Sequence, residues 1–124
     1  MSAYAPKSPA AYRSNAVLTA SHEQLVIALY DGARRFLYQA SVAMTDKDVA
    51  TAHFKQKRTE DIIRHLRDTL DMEQGELPQR LHALYTFWLE HLRKARLAQN
   101  PKMLEEVSDM VGKLRESWAT VARP

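Results

Sequence analysis

The chain has 124 residues, 45% of them hydrophobic, and its 18 Lys and Arg against 15 Asp and Glu leave a net charge of +3. That length supports one hydrophobic core rather than two. The interleaved charges give only a weak basic bias, without the recognition motif or aromatic platform of a nucleic-acid binder. The absence of Cys excludes disulfides and thiolate metal sites. No apolar run approaches the ~20 residues that cross a bilayer, and the N-terminus lacks the apolar middle of a secretory signal, so a cytoplasmic protein without membrane insertion is expected.

Residues 1–20 hold two of the five prolines and no helical apolar periodicity, which predicts a mobile N-terminal arm. The arm nevertheless carries Tyr12, Val17 and Leu18, more apolar surface than a linker needs, so part of it is expected to dock on the body formed by residues 21–124. Ser21 followed by Gln24 fits a capping box, which places the first helix start near His22. Within that helix Leu25, Leu29, Ala33, Phe36 and Ala40 recur at spacings of three and four, widened by Val26, Tyr30 and Leu37. Gly32 breaks the rule, because an interior Gly costs about 1 kcal/mol against Ala, and its presence suggests a packing partner too close for a Cβ.

Thr45-Asp-Lys-Asp48 supplies turn and capping residues before a second helix expected over Val49–Met72, with Val49, Ala52, Ile62, Ile63, Leu66 and Leu70 on its apolar side. Gln56 and Thr59 fall on the same stripe, where a sealed core would favour Leu. Gly75 can take a positive φ after this helix, and Pro78 suits the first turn of the next. That third helix, Pro78–Ala98, bears Leu81, Leu84, Tyr85, Trp88, Leu89, Leu92 and Ala95. Asn100-Pro101 then starts a fourth helix, in which Leu104, Val107, Val111, Leu114, Trp118 and Val121 keep a seven-residue repeat. Four segments with short loops predict an all-α, antiparallel up-down-up-down four-helix bundle, with a coiled-coil dimer of helical hairpins as the structural alternative.

Little catalytic chemistry is available to this pattern. The five His residues form neither His-x-x-x-His nor Glu-x-x-His pairs, and Asp61 with His65, at a spacing of four, reads more readily as a surface charge pair than as a metal site. The three glycines never cluster into a phosphate loop or nucleophile elbow. No catalytic residue, metal or cofactor is expected. Trp88 and Trp118 read as core residues, although an indole N–H needs a partner or an edge position, which would put one of them at the margin of a groove.

From about Tyr12 to Trp118 the chain resembles the FliS family of flagellar secretion chaperones. The resemblance rests on Asn15 through Gly32, containing Leu18-Thr-Ala-Ser21, Gln24-Leu25 and Leu29-Tyr-Asp-Gly32. It continues in Ile62-Ile63 with Leu70-Asp71, in Leu81, Leu84-Tyr85 and Leu92, and in Glu105-Glu-Val107 with Trp118. The resemblance implies a cytoplasmic bundle that binds the disordered C-terminal segment of flagellin before type III export and prevents its premature polymerisation. It also implies an N-terminal arm that covers the binding groove. Two departures stand out: Gly75-Glu76 where the family usually has Gly-Gly, and Ala95-Arg96 where it often has Ala-Asn.

On this reading the groove runs along helices two to four, with Ile62, Leu66, Tyr85, Leu89 and Leu92 as lining and Tyr12 and Leu18 as the lid. Flagellin is the expected partner and the export gate a further candidate. A homodimeric structural or regulatory protein of flagellar assembly is the alternative function.

Overall fold

The computed structural model describes residues 21–122, and these form four helices without a strand: α1 (His22–Thr45), α2 (Val49–Asp68), α3 (Glu76–Ala98) and α4 (Pro101–Ala122). The expected arm, with Tyr12 and Leu18 as its lid, lies outside the described residues. Each helix contacts the two that neighbour it in a ring, α1 on α2, α2 on α3, α3 on α4 and α4 back on α1. The bundle therefore closes within one chain, and the hairpin-dimer architecture is not what the sequence builds.

The local start signals act as the sequence predicts. Ser21 Oγ accepts from the Gln24 amide at 3.1 Å while Gln24 Oε1 accepts from the Ser21 amide at 2.9 Å, which completes the capping box. Asp48 Oδ1 accepts from the Thr51 amide, and Asn100 Oδ1 from the Lys102 amide. The second helix ends at Asp68, four residues before the expected Met72. Beyond it the Asp71 carboxylate accepts from the Glu73 amide and the Gln74 side chain, and this local turn competes with continued helix. Gly75 takes φ +95° just before α3, which starts at Glu76 rather than Pro78. Glu76 already has helical backbone, so the turn needs only one glycine, and a carboxylate in the first turn suits the helix dipole.

The core runs through Val26, Tyr30, Leu37, Ala40 and Met44 of α1, Ala52, Ile63 and Leu66 of α2, Leu81, Tyr85, Trp88, Leu92 and Ala95 of α3, and Leu104, Val107 and Val111 of α4. The sealed stripe of α1 thus follows Val26–Tyr30–Leu37, whereas Leu25 is exposed and Leu29 and Phe36 are partly buried. Small residues, Ala33, Ala40 and Ala43, let α1 approach α2 and α4 closely, while the large rings of α3 keep it further from its neighbours.

The mid-helix Asp31-Gly32 pair divides into two roles. Asp31 accepts from Arg115 of α4 through both carboxylate oxygens, at 2.9 and 3.3 Å. Gly32 is buried, but a Cβ there would meet Ile62 Cδ1 at 3.6 Å, an ordinary contact, so the expected tight approach is absent. The tight approach occurs at Gly112 instead, where a Cβ would lie 3.0 Å from the Arg34 guanidinium carbon.

A candidate binding cavity at one end of the bundle

The seven-residue seam of α4 is sealed at Leu104, Val107 and Val111, partly buried at Leu114 and Trp118, and exposed at Val121. The core therefore opens toward the end of the bundle where α1 and α3 begin and α2 and α4 finish. An open cavity of about 570 Å³ occupies that end. Its walls are Leu25, Val26 and Leu29 of α1, Leu66 and Leu70 at the close of α2, Leu77, Leu81 and Tyr85 of α3, and Trp118 and Val121 of α4. Three of these apolar side chains stand well exposed, Leu25 at 41%, Leu77 at 59% and Val121 at 65%. Apolar groups left in water around one concavity mark a binding surface rather than a finished core.

Tyr85 and Trp118, which line the cavity, are both hydrogen-bonded to the fully buried Tyr30. The Tyr30 and Tyr85 hydroxyls lie 2.6 Å apart, and Trp118 Nε1 donates to the Tyr30 hydroxyl at 3.1 Å. The Tyr30 ring meets Tyr85 and Trp88 edge-on, an arrangement that adds to simple area burial. Burial, reinforced by the neighbouring Tyr85 phenol, pushes the Tyr30 hydroxyl far above its ordinary value, and burial also raises Tyr85. Both phenols stay neutral at physiological pH, so this group brings apolar surface and fixed dipoles to the cavity rather than charge.

The sequence-predicted lining residues divide. Leu66 and Tyr85 border the cavity, though each is largely buried. Leu92 is wholly enclosed among core side chains, with no surface to offer in the free chain, and Ile62 is partly buried and packs against the core. Leu89 lies in a separate groove between α2 and α3. The two indoles also differ: Trp88 is wholly buried with Nε1 unpartnered, while Trp118 sits at the cavity margin with its N–H satisfied. The sequence pattern does not mark Leu25, Leu77 and Val121 as lining, although the seven-residue repeat of α4 ends at Val121.

Polar residues on the α2 stripe pack where the periodicity places them. Gln56 is buried and donates from Nε2 to the Leu92 carbonyl at 2.6 Å and to Glu60 at 3.1 Å, while Thr59 donates to the Lys55 carbonyl. Among the described residues no group of three or more His, Asp or Glu is placed to hold a metal ion, and no helix is long and apolar enough to cross a membrane.

Comparison with known proteins finds similarity along nearly the whole chain. The family model described as flagellar protein FliS matches residues 5–124. The chain is 35% identical over 112 residues to the flagellar secretion chaperone FliS of Campylobacter jejuni, covering 90% of this chain and 88% of the relative. It is 34% identical over 121 residues to the protein of that name from Escherichia coli K12, covering 93% and 89%. The corresponding Salmonella typhimurium protein is 30% identical over 110 residues, covering 87% and 82%.

Proposed function

The chain belongs to the FliS family of flagellar secretion chaperones, and from that premise we propose that it binds the disordered C-terminal segment of flagellin in the cytoplasm and holds it monomeric until type III export. The observation that supports this reading is the end cavity, about 570 Å³ in size and rimmed by the exposed Leu25, Leu77 and Val121. A client helix or extended segment presenting Leu- or Val-sized side chains at helical spacing fits such a concavity, in the manner of an amphipathic segment in a groove. Ordering the client as it binds costs about 2–5 kcal/mol, which apolar burial offsets, and this combination gives firm but reversible capture.

Residues 1–20 join the body at Ser21, and His22 and Glu23 line the cavity mouth. Because the first residues of α1 line the cavity, we propose that Tyr12 and Leu18 act as a lid that the client displaces. Leu66 and Tyr85 contribute the inner wall, and Ile62, Leu89 and Leu92 act along the α2–α3 seam, which requires local rearrangement at Leu92. A handover to the export gate follows capture.

The test is a calorimetric titration of the purified chain with the C-terminal segment of flagellin from the same organism. Saturable binding with a negative heat-capacity change is the expected result. No binding by folded protein and intact segment would overturn the reading.

A further inference from the structure

Resting on the proposed client reading, we infer that the groove between α2 and α3 is a second recognition element, which takes carboxylate side chains of the bound segment through Arg64 and Arg67. The groove holds about 300 Å³ and is walled by Glu60, Arg64 and Arg67 of α2 and by Thr86, Leu89, Glu90, Arg93 and Arg96 of α3. Four guanidiniums thus face two carboxylates.

The two halves of this set are unequally committed. Arg96 holds Glu60 at 2.7 Å, and Arg93 grips Glu90 through Nε and Nη2 at 3.2 and 2.6 Å. These pairs consume both groove carboxylates and demonstrate the fit of that group to these walls. Arg64 is left with contacts of 3.4 Å to Glu60 and 3.6 Å to Asp61. Arg67 is three-quarters buried, with contacts of 3.3 Å to Asp68 and 3.5 Å to the Thr86 hydroxyl. A well-formed charge-assisted bond is nearer 2.7–2.9 Å. Arg64 and Arg67 therefore keep donors for an incoming acceptor, and Asp61 and Asp68, both mostly exposed, can yield their places to it at little cost.

Position ties the groove to the client. Arg67 and Thr86 directly follow the cavity-lining Leu66 and Tyr85 in sequence, and the helices run antiparallel, so the groove leads away from the cavity along the same seam. From Arg67 to Glu60 it extends about 10 Å, the reach of roughly three or four extended residues. A segment whose apolar side chains fill the cavity would lay its next residues here, with Leu89 beneath them and one or two carboxylates against Arg64 and Arg67. Discrete carboxylates suit this groove better than a nucleic acid, because a continuous run of phosphates would also meet Glu90, Asp61 and Asp68.

The test uses the full chain and the flagellin C-terminal segment, titrated at low and high salt. Replacing both arginines, Arg64→Gln with Arg67→Gln, should weaken binding about tenfold and flatten its salt dependence. Arg80→Gln, exposed on α3 outside both the groove and the cavity, should change neither. A segment with its Asp and Glu replaced by Asn and Gln should lose a similar factor against the unaltered protein, and the two losses should not add. Binding retained at unchanged affinity and salt dependence in the double variant, or fully additive losses, overturns this inference alone. Absence of any binding to the unaltered protein overturns the chaperone reading and this inference with it. RNA that displaces the segment from the unaltered protein but does not bind the double variant overturns the assignment to carboxylates.

Discussion

The Arg96 guanidinium of α3 donates to the Glu60 carboxylate of α2 at 2.7 Å, and Glu60 also accepts from the buried Gln56 amide, which donates onward to the Leu92 carbonyl. The Glu60 side chain is only 8% exposed, so this charged pair is largely out of water. The cost of such a pair is felt when one half is removed, since the remaining charge keeps its desolvation without its partner. Arg96→Ala should lower stability by about 1–3 kcal/mol in denaturant unfolding. Adding Glu60→Leu should recover much of that loss, giving a coupling energy that a double-mutant cycle reads directly.

The Tyr30–Tyr85 pair makes stability depend on alkaline pH. The folded chain holds the Tyr30 proton beyond the ordinary value of 10.0, chiefly through burial, while the unfolded chain releases it near that value. Between those limits the native state binds more protons, so stability is fully present below about pH 10 and falls as pH rises above it. Melting temperature should therefore decline above pH 10. Tyr30→Phe should weaken that decline and itself cost about 1–2 kcal/mol at neutral pH, through the bonds lost to Tyr85 and Trp118.

Gly32→Ala should stabilise the chain by about 0.5–1 kcal/mol, because the new methyl enters ordinary contact with Ile62 and helix propensity improves. Denaturant midpoint is the measurement. A loss instead would mean that α1 and α2 cannot accept even this small displacement.

Cavity rim and core should separate experimentally. Leu77→Ser, at an exposed position, should leave stability within about 0.5 kcal/mol while reducing affinity for the flagellin segment. Leu92→Ala, at a fully buried one, should cost about 2–5 kcal/mol. Parallel melting and titration of both variants would distinguish a rim residue from a core residue, and equal effects on binding and folding at Leu77 would count against the cavity as the site.

The sequence by itself determined the four helices, their caps and their antiparallel order, because these follow from local rules: a 3.6-residue apolar repeat, a side chain able to bond a free amide, and loops too short for other connections. The Ser21–Gln24 box and the Asn100 cap show how completely such signals act within a few residues. Periodicity also placed Gln56 and Thr59 on the inner stripe, where they are buried. Only the tertiary structure decided which part of each stripe stays open. Leu25 and Val121 carry the same apolar signal as Leu37 and Val111, and differ because they sit at the ends of their helices, where they stand exposed around the cavity. Asp31, Glu60 and Arg67 likewise each bond to a residue on another helix, 84, 36 and 19 residues away in sequence. Burial and pairing are properties of the space between helices, and a stripe on one helix does not contain them.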